Sequence, residues 1–203
     1  MCDHPVTTVK TTMPELILAS TSPFRRQLLE RLQIPFTCVA PAVDETALKG
    51  EDATQLVARL SQAKARAGAQ GSQSLVIGSD QVAVVEGQIL GKPGTPERAA
   101  AQLRMLAGQA VRFHTGVCVL NAATGTMHED IVDTVVQMRV LDAETIARYL
   151  ALDEPWGCAG SFRSESLGIS LFESVRSDDP TALIGLPLIR VAKFLRAEGV
   201  DVP

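Results

Sequence analysis

The alternation of short apolar runs with helical repeats constrains the fold of this chain more than any other feature. The stretch LILASTSPFRRQLLERL, residues 16–32, begins with four apolar residues, turns through a Ser/Thr/Pro corner and continues with leucines at helical spacing. This predicts a buried strand over Leu16–Ala19 and a helix over Pro23–Gln33. The same alternation predicts further helices over Ala53–Ala69, Thr95–Leu106, Asp142–Leu152 and Pro187–Glu198. It also predicts strands over Phe36–Ala40 and 75–78, hairpins through Glu86-Gly87 and around 121–125, and a strand late in 158–175.

Helices and strands in this order indicate an α/β protein with a mixed β-sheet flanked by helices. No repeat, low-complexity linker or shift in composition marks a domain boundary. Residues 15–203 are therefore predicted to form a single domain with two lobes around a central cleft. Residues 1–14 are predicted to be a flexible leader, and Met13 is a second candidate for the natural start.

The composition excludes several classes of protein. The formal net charge of −4 argues against a protein that coats nucleic acid or an anionic membrane. No apolar run approaches the length of about 20 residues that spans a bilayer, and the first residues lack the apolar region of a signal peptide. The four cysteines form no CxxC pair, and the three histidines lack the spacing of metal ligands. This usage favours a reducing, cytoplasmic compartment.

Two arginines stand where a helix begins. A helix N-terminus carries roughly half a positive charge, so Arg25 and Arg26 in the first turn are unfavourable unless an anion binds there. With Ser22 as N-cap and Ser20 in the preceding corner, the segment has the hydroxyls and N–H groups of an anion site. The alternative is that both arginines are solvated and Arg26 pairs with Glu30. The sequence favours the anion site for the whole cluster and the solvated state for Arg26 alone.

A lysine interrupts the apolar face of the second helix. Leu56, Leu60 and Lys64 are spaced at i, i+4 and i+8, so the lysine shares the apolar stripe. A lysine that points inward needs a partner or a ligand. The alternative is that its ammonium reaches past the helix edge into solvent.

Acidic residues supply the remaining chemistry. Asp80 follows the apolar run in LVIGSDQ, so it is predicted at a strand end, where it could bind Mg²⁺, accept a proton from water or only cap a turn. Asp44 and Glu45 would complete an oxygen-rich Mg²⁺ site if they lie near Asp80, and otherwise form a solvated loop.

Lys92 in GKPG is typical of a solvated turn. P-loop, dinucleotide-binding and nucleophile-elbow motifs do not occur.

The motifs together resemble the Maf-type nucleotide pyrophosphatases. LILASTSPFRRQLLERL, VDET, RLSQAKA, IGSDQ, GKP and CAGSFRSESLGISLFESVRSDDPTALIGLPL occur in the order and spacing of that family. The resemblance implies hydrolysis of a nucleoside triphosphate to its monophosphate and diphosphate, an elongated α/β fold with a central cleft, and often a homodimer. It implies a divalent cation such as Mg²⁺, Mn²⁺ or Co²⁺ at Glu45 and Asp80, with Asp80 as proton acceptor. The implied phosphate-binding residues are Ser20, Ser22, Arg25, Lys64 and Lys92.

Three further positions resemble the family branch that acts on 7-methyl-GTP, which carries an aromatic residue, a glutamine and a glutamate where this chain has Phe24, Gln81 and Glu165. N7-methylation makes guanine cationic, so an aromatic face would attract it and a carboxylate would balance its charge. The alternatives are a pyrophosphatase for dTTP and UTP, one for ITP and XTP, or a nucleotide-binding regulator of septation without important catalysis.

Overall fold

The computed structural model describes residues 14–69, 71 and 73–203. Its strands are β1 (Glu15–Ala19), β2 (Thr37–Val39), β3 (Ser74–Val85), β4 (Gln88–Leu90), β5 (Ala110–Asn121), β6 (Met127–Met138) and β7 (Phe172–Ser177). Its α-helices are α1 (Pro23–Glu30), α2 (Ala53–Gly68), α3 (Pro96–Leu106), α4 (Ala143–Asp153) and α5 (Leu188–Ala197). Short 3-10 helices cover Ala159–Ser161, Leu167–Leu171 and Ala182–Ile184.

One mixed sheet organises the described residues, which confirms the predicted α/β class. The strand order is β2-β1-β3-β5-β6-β7, with β4 paired to β3. Strand β1 runs parallel to β2 and β3, whereas the β3–β5, β5–β6 and β6–β7 pairs are antiparallel. The β3–β4 and β5–β6 pairs are hairpins, the β3–β5 and β6–β7 pairs are joined by longer connections through α3 and α4, and the parallel pairs follow from the crossovers through α1 and α2.

Two glycines bring α2 close to the sheet. A Cβ on Gly78 would lie 2.1 Å from the carbonyl oxygen of Ser61, and one on Gly116 would lie 2.6 Å from that of Val57. Any larger side chain at either strand position would push the helix away. The close contact brings the inward face of α2, including Lys64, down to the level of β3.

The apolar core forms separate clusters on different parts of the sheet. One contains buried residues of α3, α4 and the distal half of β3 together with residues of β5 and β6, such as Phe113 and Met138. Another joins β1, α1 and α5 through residues such as Leu28, Leu186 and Leu195. Side chains of both regions border the same cleft.

Several predicted boundaries are wrong. The strand predicted over 75–78 extends over Ser74–Val85, so Asp80 lies within β3, opposite Gly116 of β5, and not at a strand end. Polar residues end the apolar run there, but the backbone continues to pair with β5. Helix α1 ends at Glu30 and not at Gln33, whose φ of 55° is left-handed. The predicted N-cap Ser22 is confirmed, and Thr95 and Asp142, with which two predicted helices begin, are the N-caps of α3 and α4.

The choice of Met13 as a start and all but the last residue of the leader predicted over residues 1–14 lie outside the described residues. In the part of the chain that the structure describes, no helix combines the length and apolar character needed to cross a membrane.

Candidate active-site cleft

One cleft of about 720 Å³ is bordered by ten of the residues that the sequence nominated for the site, whereas Arg26 and Asp44 do not border it. Its walls come from the β1–α1 corner, the loop before α2, the inward face of α2, strand β3 and the loops around residues 91–92, 157–165 and 183–185. The nominated residues that line it are Ser20, Ser22, Phe24, Arg25, Glu45, Lys64, Asp80, Gln81, Lys92 and Glu165.

Hydroxyl groups hold the β1–α1 corner in shape. The backbone N–H of Ser22 donates to Ser20 Oγ at 3.1 Å, and the N–H of Arg25 donates to Ser22 Oγ at 3.4 Å. Both serines therefore border the cleft while also shaping the first turn of α1. Arg26 is exposed and donates to Glu30 Oε1 at 3.0 Å, so the solvated alternative is confirmed for this residue.

Arg25 is oriented by a carbonyl group from the far wall. Its Nε donates to the carbonyl oxygen of Gly185 at 2.7 Å, and neither Nη has a hydrogen-bond partner within residues 14–69, 71 and 73–203. Burial lowers the pKa of Arg25 from its ordinary value, and the negative charges of Asp80 and Glu45 oppose that shift. At Gly185 the backbone φ is +120°, and an added Cβ would lie 3.3 Å from Arg25 Nε. The guanidinium thus enters the cleft in one defined direction with donors available.

Lys64 joins the two acidic residues of the site. Its Nζ lies 2.6 Å from Asp80 Oδ1 and 2.5 Å from Glu45 Oε1. Lys64 is 5% exposed and Asp80 is 8% exposed, so the alternative of a lysine reaching into solvent is wrong. The hydrogen bond from Lys64 is the main reason that the pKa of Glu45 is lowered, and the charges of Lys92 and Arg25 add to it. The ammonium therefore holds two carboxylates at one point of the cleft.

These carboxylates fit the chemistry of a hard divalent cation. Mg²⁺ is usually bound by one or two carboxylates together with phosphate oxygens of the substrate and water. Glu45 and Asp80 match that donor set, although no group of three or more His, Cys, Asp or Glu in the described residues could hold an ion by itself. Asp44 is not part of the set, because it lies away from the cleft and accepts from the N–H of Thr46 at 2.9 Å.

The three residues nominated for base recognition differ in how they are held. Phe24 is half-buried in the first turn of α1, and Glu165 is exposed and accepts a 3.3 Å bond from Ser164 Oγ. The Nε2 of Gln81 lies within hydrogen-bond distance of Thr115 Oγ1 at 2.9 Å and of the carbonyl oxygens of residues 182 and 183. Gln81 therefore braces the wall that carries Gly185 and presents its amide oxygen for other contacts.

The structure adds residues that the sequence did not nominate. Arg163 borders the cleft, its Nη2 donates to the carbonyl oxygen of Glu154 at 2.7 Å, and its Nε is buried without a partner among the described atoms. Phe113 and Phe162 line the wall and meet edge to face at 5.4 Å. Cys158 also lines the cleft, and burial raises the pKa of its thiol, which suits an inert side chain. Of these residues, only Arg163 could have been nominated from the sequence, because it is a cation two positions before Glu165.

The class of protein follows from its sequence family. A family model described as "Maf-like protein" matches residues 15–198, and the chain belongs to this family.

The relatives of this chain carry names that are more specific than that of the family. A protein of Pseudomonas aeruginosa named "7-methyl-GTP pyrophosphatase" is 52% identical over 192 residues, which are 94% of this chain and 100% of that protein. Proteins of the same name from Pseudomonas savastanoi pv. phaseolicola and Nitrosococcus oceani are 53% and 51% identical, over 94% and 93% of this chain and 100% and 96% of theirs. A crystal structure of a nucleoside-triphosphatase / dITP/XTP pyrophosphatase from Mycobacterium abscessus aligns over 91% of this chain and 97% of its own with a TM-score of 0.43 at 14% identity, too distant to bear on this chain.

Proposed function

We propose that this chain hydrolyses 7-methyl-GTP to 7-methyl-GMP and diphosphate. The observation that carries the proposal is the buried Lys64 bridging Glu45 and Asp80 beside Arg25, in a cleft that also contains Phe24. Relatives about half identical over nearly the whole chain carry the name of this activity, which supports the choice of substrate.

The phosphate arm binds at the cationic end of the cleft. Arg25, Lys64 and Lys92 outnumber the two carboxylates there, so this end attracts a polyanion. The unpartnered Nη groups of Arg25 donate charge-assisted hydrogen bonds to phosphate oxygens. The hydroxyls of Ser20 and Ser22 border the same end. Positioning and charge stabilisation of this kind account for most of the catalysis in phosphoryl transfer.

A divalent cation, Mg²⁺, Mn²⁺ or Co²⁺, would be held by Glu45 and Asp80. When bound, it would supply positive charge to the phosphates and lower the pKa of a coordinated water. Two carboxylates fit this role because the phosphates supply the remaining oxygen ligands.

Asp80 is the proton acceptor in this proposal. A water oxygen attacks the α-phosphorus, the bond to the bridging oxygen of the β-phosphate breaks, and the proton of the water passes to the Asp80 carboxylate. Lys64 orients that carboxylate through the 2.6 Å contact and balances the negative charge that develops on the phosphates.

Phe24, Gln81 and Glu165 recognise the base. The ring of Phe24 stacks on the cationic 7-methylguanine, and the carboxylate of Glu165 accepts hydrogen bonds from the guanine edge and offsets its charge. Gln81 contributes its amide oxygen while its nitrogen braces the wall. Residues 15–203 are proposed to act as a single domain, as a homodimer, in the cytoplasm, with a nucleotide and not a nucleic acid as partner.

Diphosphate release from a panel of nucleotides tests the proposal. We expect the highest kcat/KM with 7-methyl-GTP, and a loss of at least about 100-fold in D80N. D44N is the matched control, since Asp44 lies outside the cleft and should leave the rate unchanged. Faster turnover of dTTP or UTP, or of ITP or XTP, would assign the chain to another specificity. Nucleotide binding without hydrolysis of any of them would favour a regulator.

A further inference from the structure

We propose that Tyr149 and Asp153 of α4 are positioning residues that fix Glu165 in the cleft and thereby set the preference for 7-methyl-GTP. This inference rests on the proposed role of Glu165 in base recognition. Neither Tyr149 nor Asp153 lines the cleft, so both act through the loop that carries Glu165.

Glu165 occupies the centre of a tight turn. The N–H of Ser166 donates to the carbonyl oxygen of Arg163 at 3.3 Å, which closes a four-residue turn with Ser164 and Glu165 at its central positions. The Glu165 side chain is exposed and receives only the 3.3 Å bond from Ser164 among the described residues. Its direction is therefore set mainly by the turn.

Both ends of that turn are tied to one carboxylate. The N–H of Arg163 donates to the hydroxyl oxygen of Tyr149 at 3.1 Å, and that hydroxyl donates to Asp153 Oδ2 at 2.7 Å. At the other end, Ser166 Oγ donates to Asp153 Oδ1 at 2.5 Å. Since Tyr149 and Asp153 are four residues apart on α4, they share a face and act as one clamp.

The clamp is buried among apolar residues. Tyr149 is 3% exposed and Asp153 is 6% exposed, and the ring of Tyr149 packs in the cluster formed with α3 and β5. A carboxylate in such a place is costly unless it is hydrogen-bonded. A buried polar network whose members are satisfied selects one local conformation. Burial, and then the bond to Asp153, raises the pKa of Tyr149, so its hydroxyl stays a donor.

The surrounding backbone leaves the turn little room to move. A Cβ on Gly168 would lie 2.3 Å from the carbonyl oxygen of Arg163, so the chain after the turn packs directly on its first residue. The guanidinium of Arg163 also donates to the carbonyl oxygen of Glu154, at the end of α4. These contacts do not involve Tyr149 or Asp153, so they remain when the clamp is lost and confine the resulting loosening to Ser164, Glu165 and Ser166.

The test is the ratio of kcat/KM for 7-methyl-GTP to that for GTP. We expect Y149F and S166A each to lower this ratio about fivefold to tenfold, since each removes a hydrogen bond that orders the turn. S166T should retain the ratio because it keeps the hydroxyl. S170A is the matched control, as Ser170 is exposed and its hydroxyl donates, among the described residues, only to the carbonyl oxygen of Leu167. A ratio measured on one preparation does not depend on the fraction folded, and Trp156 fluorescence reports whether the neighbouring loop is native.

The E165Q background separates the outcomes. E165Q alone should lower the ratio, and Y149F added to it should lower the ratio no further. If E165Q lowers the ratio but Y149F and S166A do not, the clamp has no positioning role and the proposed function stands. Equal losses for both nucleotides in Y149F and S166A would show a purely structural role and overturn the inference. If E165Q leaves the ratio unchanged, Glu165 does not set the preference, and the inference is overturned because its premise is lost.

Discussion

Replacing Lys64 with methionine tests whether its ammonium compensates a buried carboxylate. Lys64 Nζ lies 2.6 Å from Asp80 Oδ1 and 2.5 Å from Glu45 Oε1, and Asp80 is 8% exposed. Methionine keeps a similar length but supplies no charge, so K64M removes the ammonium that is hydrogen-bonded to the buried Asp80 carboxylate. Breaking a buried pair in this way lowers the free energy of unfolding by about 3 kcal/mol. In a domain of this size, that lowers the melting temperature by about 6–12 °C.

Two further variants isolate the cause. D80N should cost only about 1 kcal/mol, because Lys64 keeps Glu45 as its partner and asparagine carries no charge. The double variant K64M/D80N contains no buried charge without a partner, because the Glu45 carboxylate that remains is half exposed to solvent. It should therefore be about 2 kcal/mol more stable than the sum of the single changes predicts.

Urea unfolding at pH 7 measures these differences, with Trp156 fluorescence and circular dichroism as independent probes. The dependence of free energy on urea should be unchanged, so that the midpoints report stability alone. The reasoning would be refuted if K64M were as stable as the wild type. It would also be refuted if the effects of the two single changes simply added.

Three other changes probe the rest of the site and its support. R25K should reduce kcat/KM for 7-methyl-GTP about 100-fold, because lysine can neither reach Gly185 in the same way nor present paired donors; an unchanged rate would contradict this. G78A should cost about 3 kcal/mol in urea unfolding, since its Cβ would collide with α2. The hydrogen bond from Arg59 lowers the pKa of Glu51 to about 2 from 4.5, so this carboxylate stabilises the fold above pH 4.5 and the contribution is lost as the pH falls towards 2. The stability difference between wild type and E51Q should accordingly be constant above pH 5 and shrink below pH 4.5.

The sequence predicted the elements of the fold better than their ends. The helical spacing in α2 and the capping serine of α1 are local signals, and both predictions are confirmed. The length of β3 is a property of its pairing with β5, so the polar run at Asp80 misled a prediction based on apolar residues. Helix α1 ends at Glu30, and the chain turns away through the left-handed residue Gln33, where no glycine indicates the turn.

The candidate site likewise combines residues that local sequence patterns indicate with contacts that only the folded chain creates. An inward Lys64 could be predicted because it breaks an apolar stripe, and its two partners could only be suspected. The clamp made by Tyr149 and Asp153 had no local signal, since a tyrosine and an aspartate four residues apart are ordinary on a helix. Contacts between α4 and a loop ten or more residues later are set by tertiary packing, which spacing does not encode.

We propose that the triphosphate lies against the β1–α1 corner with its α-phosphorus beside Asp80. A crystal structure of D80N with 7-methyl-GTP and Mg²⁺ is the decisive test of this placement. We expect phosphate oxygens on Arg25, Lys64 and Lys92, with the methylated base between Phe24 and Glu165. Nucleotide bound elsewhere, with no phosphate oxygen near Arg25, would contradict it.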